Sequence, residues 1–245
     1  MAKSVILSGA SGFVGSHTLE HLLLNTSWDI ICVESFRHKG VGERIADSVH
    51  YQENKDRVRV YTHDLTTPFS KVFISKLPKI DYIFNIASES HVNRSIEDPV
   101  PFIQNNVNLV LNMLELAREI KPEKFIHIST DEVYGPSNDY DHVEWDTHYP
   151  SSPYAASKSA QESVCFAYWR TYGVPVVITN TMNIYGQRQD SEKFIPLIIK
   201  KVLSGETLDI HSKDGQAGKR YYLHARNQAD ALLFIANNIN PNIYP

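Results

Sequence analysis

The sequence predicts an open, doubly wound α/β fold, with a parallel sheet covered by helices on both faces and a small C-terminal region beyond it. Three observations predict it. Short apolar runs recur at residues 5–7, 30–33, 58–61, 82–86, 125–128 and 174–179, and most show no polar alternation. Stretches with helical spacing separate most of these runs. A glycine cluster follows the first run at once. Strands apolar on both faces, alternating with helices, are the pattern of a parallel sheet buried on both sides. A chain of 245 residues is long enough to give such a sheet its own core.

Each element has its own signal. Residues 5–7 form the first strand, and apolar positions at helical spacing over roughly 12–24 form the first helix. Residues 30–33 form the second strand. The clearest helical patterns lie at 102–120 and 154–172, before the fifth and sixth strand runs. Residues 136–153 are polar and aromatic, with proline at each end, and are long enough for a lid. After Gly186 the strand–helix rhythm weakens: 194–203 reads as a helix and 209–220 as turns.

Composition excludes several classes. The hydrophobic fraction is 42% and the charged fraction 21%, ordinary values for a globular chain and not for a disordered one. No apolar run approaches the roughly 20 residues of a membrane helix. The net charge is −4 and no long basic block occurs, which argues against a nucleic-acid binder. Two cysteines, Cys32 and Cys165, lie in apolar surroundings and read as buried free thiols of a reducing compartment. The first residues run straight into a strand without a signal segment, so the expected location is the cytoplasm.

Gly9-Ala10-Ser11-Gly12-Phe13-Val14-Gly15 lies between the first strand and the first helix. Glycines there permit a tight turn and close backbone approach, so that a helix N-terminus faces a pyrophosphate. Glu34 closes the second strand 19 residues after Gly15, where a carboxylate holds the hydroxyls of an adenosine ribose. The combination predicts a dinucleotide. Glu34 repels a 2′-phosphate and so favours NAD over NADP, while Arg37 and Lys39 argue the other way. Asp64-Leu65, just past the third strand, is placed either to reach the adenine or to cap a helix.

Tyr154 and Lys158 are four residues apart at the start of a helix and share one face. A phenolate at neutral pH requires a shift of about 3 units, roughly 4 kcal/mol. A nearby ammonium and a positive nicotinamide ring are the expected sources. Ser129-Thr130-Asp131-Glu132-Val133-Tyr134-Gly135 ends the fifth strand, where ligands of open α/β sheets bind. For both acids to face one ligand, the strand must end before Asp131, because neighbours in a strand point to opposite faces.

These segments resemble an extended short-chain dehydrogenase/reductase, and within that group a nucleotide-diphosphate-glucose (dTDP- or UDP-glucose) 4,6-dehydratase. Besides the motifs above, the resemblance rests on Ala87-Ser88-Glu89-Ser90-His91-Val92-Asn93-Arg94-Ser95-Ile96, Tyr154-Ala155-Ala156-Ser157-Lys158, Asn183-Ile184-Tyr185-Gly186 and Glu192-Lys193-Phe194-Ile195-Pro196. It spans essentially the whole chain. The Thr-Asp-Glu run is its most specific part, since similar 4-epimerases carry no acid pair there and related decarboxylases usually carry only the glutamate.

The resemblance implies an NAD-binding Rossmann domain over residues 1–180. Residues 181–245 would carry substrate-binding segments and a returning helix, truncated relative to similar enzymes. It implies catalysis by Thr130, Asp131, Glu132, Tyr154 and Lys158. Tyr154 would take the proton of the sugar C4 hydroxyl, Thr130 would hold that oxygen, Glu132 would remove the C5 proton and Asp131 would protonate the departing C6 hydroxyl. Cofactor contacts fall to Gly9, Gly12, Phe13, Val14, Gly15, Glu34, Asp64, Leu65, Ala87, Ser88, Asn106, Tyr154 and Lys158. Substrate contacts fall to Ser90, Thr130, Asn183, Lys193 and Arg220. The helices at 102–120 and 154–172 would form a homodimer interface.

Arg220-Tyr221-Tyr222-Leu223-His224-Ala225-Arg226-Asn227 departs from the family pattern. An acid usually follows the first arginine and an acidic pair usually lies near the end; here Asn227 would cap the next helix in place of an acid. His17 and His21 have a spacing that can bind zinc, without the glutamate of a metalloprotease between them, so no metal is expected. Two other readings remain: a nucleotide-sugar epimerase or decarboxylase on the same fold, and a non-catalytic, NAD-binding regulatory protein.

Overall fold

The computed structural model describes residues 2–37, 41–137, 140–210, 212–213 and 215–242. The strands of its main sheet are β1 (Ser4–Ser8), β2 (Asp29–Glu34), β3 (Val58–Thr62), β4 (Tyr82–Asn85), β5 (Lys124–Thr130) and β6 (Val176–Thr181). They lie in the order β3-β2-β1-β4-β5-β6, all parallel. The order reverses between β1 and β4, and a crevice opens there at the carboxyl ends of the strands.

The helices before the last third of the chain are α1 (Phe13–Asn25), α2 (Glu43–Ala46), α3 (Val49–Glu53), α4 (Lys71–Ser75), α5 (Val92–Glu97), α6 (Pro99–Ile120) and α7 (Pro153–Tyr172). Both long helices begin with proline, whose missing N–H costs nothing in the first turn. Ser152 caps α7 by accepting the Ala155 N–H at 3.1 Å. Gly173 ends it in the left-handed conformation, at φ 68°.

Successive residues of β1 serve two cores, as strand alternation requires. Val5 and Leu7 pack with Leu19 and Leu22 of α1 on one face. Ile6 packs with Val110, Met113 and Leu114 of α6 on the other. Cys32 and Cys165 are free and buried, one in each core. The expectation of strands apolar on both faces fails at β3. It is an edge strand in which Val60 is 39% exposed.

Beyond the sheet, β7 (Asn183–Tyr185) leads to α8 (Phe194–Ser204). A short antiparallel pair follows, β8 (Ser212–Lys213) and β9 (Gln216–Ala217). Then β10 (Tyr222–His224) pairs in parallel with β7, and α9 (Ala225–Asn238) returns to the α1 face, where Leu232 and Ala236 join the core. Sequence reading placed the helix cap at Asn227. The cap is His224, whose Nδ1 accepts the Arg226 N–H at 3.1 Å, and Asn227 lies inside the helix. No described helix is long and apolar enough to cross a membrane.

Candidate active site

A cleft of about 390 Å³ runs along the carboxyl edge of the sheet, from Glu34 and Asp64 at one end to Lys193 and Tyr222 at the other. Its first half is built from backbone. Gly9 has φ +79°, and a side chain there would put its Cβ 2.9 Å from the backbone of Ala87. At Gly15 a Cβ would lie 1.9 Å from the Gly9 carbonyl oxygen. Neither position admits a side chain. The Gly9 carbonyl accepts the Gly12 N–H at 2.9 Å, closing the turn. Helix α1 then starts with no side-chain cap and no acid in its first turn, which leaves its positive end to a bound anion. The cradle fits a dinucleotide pyrophosphate, and Phe13, Val14, Leu65, Ala87 and Ser88 complete its walls.

Two sequence-predicted contacts are engaged differently. Glu34 lines the cleft, but its carboxylate folds back on the glycine loop. It accepts the Ala10 N–H at 2.5 Å, the Ser11 N–H at 3.1 Å and the Ser11 hydroxyl at 2.5 Å. Burial pushes its pKa up to about 7, against the pull of these donors. Asp64 caps no helix, since α4 is capped by Ser70. It accepts from the Thr66 N–H and hydroxyl at 3.0 and 2.7 Å and pairs with Arg37 at 3.0 Å. Arg37 is thus already matched with a carboxylate; Lys39 lies outside the described residues.

Asn106 stands behind the wall. Fully buried, it accepts the Glu89 N–H at 2.9 Å and donates to the Glu89 carbonyl at 3.0 Å and to Ser157 Oγ at 2.9 Å. It braces the segment after β4 against α7 instead of lining the cofactor path.

At the centre, β5 ends at Thr130 and a 3-10 turn of Asp131–Tyr134 follows, so the two acids escape strand alternation. Glu132 lines the cleft, with Asp131 beside it. The Thr130 hydroxyl accepts the Glu132 N–H at 3.3 Å and donates to Asp131 Oδ1 at 3.2 Å. Burial raises the pKa of both acids, and the positive charge of Arg220 opposes the rise. Tyr154 enters from α7, and the Thr130 side chain beside it draws the phenol pKa down, against burial. Lys158 is 4% exposed and donates to the Ile128 carbonyl at 2.7 Å and to Gln161 Oε1 at 2.9 Å. Burial lowers its pKa to about 8.

Tyr154 is therefore not depressed by its lysine. Burial, and next the Glu132 carboxylate, push the phenol above its ordinary value. The physical reason is geometric: the ammonium is committed to Ile128 and Gln161, while two carboxyls face the phenol.

Glu162, which sequence reading missed, joins the two sides of this cluster. It is 2% exposed on α7, one turn beyond Lys158. Its carboxylate accepts from the Ser129 hydroxyl and from Asn180 Nδ2 at 2.8 Å, and pairs with His148 at 3.5 Å. The helix that carries Tyr154 and the strand that carries Thr130 are thus tied together. The signal was present in the spacing, because Tyr154, Lys158 and Glu162 form an i, i+4, i+8 ladder.

The far half of the cleft is closed by side chains. Lys193 donates to the Ser90 carbonyl at 2.9 Å, and His91 pairs with Glu192 at 3.2 Å. Asn183 also lines this end, with its Nδ2 buried and unpartnered among the described residues. Arg220 is exposed outside the wall and acts on the two acids by charge alone. His17 bonds the Gln187 carbonyl at 2.9 Å and His21 meets Asp230 at 3.5 Å, so each ties elements together.

Comparison with known proteins agrees with this architecture. Residues 5–244 match the NAD dependent epimerase/dehydratase family. The chain is 34% identical over 249 residues to a dTDP-glucose 4,6-dehydratase of Shigella flexneri, covering 93% of this chain and 67% of the relative. It is 32% identical to the Haemophilus influenzae enzyme of the same name, covering 98% of this chain and 73% of the relative. It thus spans about two thirds to three quarters of the length of these relatives. Among solved structures, a dTDP-glucose 4,6-dehydratase of Streptomyces venezuelae with NAD and TYD bound superposes with a TM-score of 0.87 at 32% identity, covering 97% of this chain and 73% of that one. A UDP-glucuronic acid 4-epimerase of Bacillus cereus with UDP-glucuronic acid and NAD superposes at 0.83 and 25% identity, covering 98% and 75%.

A parallel sheet with a glycine-cradled helix end at its switch point defines a dinucleotide-binding α/β protein. The chain belongs to the NAD dependent epimerase/dehydratase family. Its cofactor is NAD, in keeping with the cradle described above.

Proposed function

We propose that the protein is a nucleotide-diphosphate-glucose 4,6-dehydratase. The observation that carries this reading is the Asp131–Glu132 pair, released from β5 by a 3-10 turn and presented beside Thr130 and Tyr154. A 4-epimerisation needs only one proton acceptor at C4, whereas a dehydration across C5 and C6 needs a further base and a further acid. Two neighbouring carboxyls divide those roles, since they cannot both ionise easily in a closed site.

The chemistry NAD supplies when bound is reversible hydride transfer, together with a positively charged ring. Tyr154 receives the C4 hydroxyl proton and Thr130 holds that oxygen. The ketone so formed acidifies C5–H, which Glu132 removes as general base. Asp131 protonates the C6 hydroxyl, which leaves as water. Ser90, Asn183 and Lys193 address the sugar and diphosphate, with Arg220 reaching them by charge. Residues 1–180 hold the cofactor and 181–245 the substrate.

Identity of 34% to named dehydratases supports the same reading. Two copies would pair through α6 and α7, which leave Val100, Leu111 and Tyr172 exposed. A dimeric mass by sedimentation is the expected result. The two free thiols accord with a cytoplasmic setting, which cell fractionation checks.

The deciding experiment is mass spectrometry of dTDP-glucose and UDP-glucose after incubation with protein and NAD. A product lighter by one water is expected, and the favoured nucleotide identifies the base. An isomer of unchanged mass would make it an epimerase. Retention of NAD without turnover would make it a regulatory nucleotide binder.

A further inference from the structure

A 4,6-dehydration displaces one proton within the site, a consequence that rests on the activity proposed above. The C4 hydroxyl proton passes to Tyr154, but C4 finishes as a ketone and never takes it back. The hydride leaving C4 ends on C6. The C5 proton borrowed by Glu132 returns to C5. The C6 hydroxyl departs with a proton from Asp131. After each turnover the substrate has lost one water, Tyr154 holds one proton too many and Asp131 one too few. An epimerase has no such debt, because its C4 oxygen recovers the proton when the hydride returns.

One group lies between the two. The Thr130 side chain neighbours the Tyr154 phenol on one side, and its hydroxyl donates to Asp131 Oδ1 at 3.2 Å on the other. Thr130 is 7% exposed, on the wall of the cleft. Lys158 offers no other route, since its donors go to the Ile128 carbonyl and Gln161, away from Asp131. Among the described residues, the Glu132 carboxylate hydrogen-bonds neither Tyr154 nor Asp131.

We propose that the Thr130 hydroxyl is the proton relay that resets the site. It accepts the proton from the Tyr154 hydroxyl while passing its own to Asp131 Oδ1. One O–H bond breaks and one forms at Thr130, one breaks at Tyr154 and one forms at Asp131. The pair is restored as phenolate and carboxylic acid, and no proton leaves the protein. Burial of Asp131 and the positive ring of bound NAD favour this direction of transfer, against the burial that holds the proton on Tyr154.

The test is rapid-quench kinetics on the NAD-loaded protein, comparing wild type with Thr130→Val and Thr130→Ser. Wild type is expected to form product linearly, at a rate independent of buffer concentration. Thr130→Val is expected to give a burst of about one product per site, followed by turnover slowed on the order of 100-fold. Small weak acids such as formate buffer should accelerate that slow phase and leave the burst untouched. Tyrosinate absorbance should fall in the burst and recover with the slow phase. Thr130→Ser should restore the wild-type course.

Equal slowing of first and later turnovers in Thr130→Val, without buffer dependence, would overturn the relay and leave Thr130 only its hold on the C4 oxygen. So would failure of Thr130→Ser to restore linear kinetics. Should Thr130→Val lose NAD, Thr130→Ala carries the same comparison. A wild type that dehydrates neither sugar nucleotide overturns the activity itself, and the relay with it.

Discussion

The two halves of the cleft are built by different means. At the cofactor half the surface is main chain: Gly9 and Gly15 bring a turn, a helix end and the segment at Ala87 into contact that no side chain would allow. At the substrate half, single side-chain links bridge otherwise separate segments, as Lys193 does to Ser90 and His91 to Glu192. No residue of α8 is buried, whereas all of β1 is. Backbone geometry gives a fixed shape that tolerates no substitution. Side-chain links give a shape that can be retuned one residue at a time, so substrate choice can vary on a constant cofactor frame.

Four substitutions break or sharpen this contrast. The largest effect is expected at the joint between the halves. Tyr154→Phe should lower kcat by about three orders of magnitude, roughly 4 kcal/mol, with NAD affinity unchanged. Steady-state kinetics and a fluorescence titration with NAD check this, and joint loss of rate and NAD affinity would place Tyr154 in the cofactor frame instead.

Gly15→Ala comes next. Its Cβ meets backbone at 1.9 Å, so a loss of about 3 kcal/mol of stability together with NAD binding is expected. Denaturant unfolding measures it. Retention of both would mean that the cradle yields.

Glu34→Gln probes the frame by pH. The folded-state pKa of about 7 lies above the ordinary 4.5, so the folded protein binds the extra proton between those values. The contribution of Glu34 to stability is therefore greatest below pH 4.5 and declines as pH rises through 7. The amide does not ionise, so the stability of Glu34→Gln relative to wild type should rise across that window by up to about 3 kcal/mol. Unfolding curves from pH 4.5 to 8 report it, and a flat difference would refute the burial argument.

Lys193→Ala should have the smallest effect. KM for the sugar nucleotide is expected to rise about fivefold, near 1 kcal/mol, with stability within about 0.5 kcal/mol of wild type. A large loss of stability would show that the substrate half is framework after all.

What was legible in the sequence follows the same division. The parallel sheet, the glycine cradle and the long helices α6 and α7 were readable because each is encoded locally, by an apolar run, a spacing or a cap. The end of β5 before Asp131 was required by the chemistry, and the structure places it there. Glu34, Asp64 and Asn106 were found as residues but not as partners. Their hydrogen bonds go to Ser11, Thr66 and Glu89, and those choices depend on how loops meet. The β7–β10 pair brings together residues 39 positions apart, and no local pattern announces it. The cap at His224 depends on that pairing, which is why Asn227 looked the better candidate.

The return of α9 to the face of α1 has a consequence for synthesis. Leu19 and Leu22 are made early, yet part of their cover, Leu232 and Ala236, is translated more than two hundred residues later. Throughout that interval the stripe of α1 that α9 will cover lacks that cover, although Val5 and Leu7 already pack with the same leucines. Contacts this distant in sequence are slow to form and leave intermediates prone to association. A growing chain of this design therefore depends on whatever shields that stripe at the ribosome, and its yield should follow the rate at which α9 is delivered.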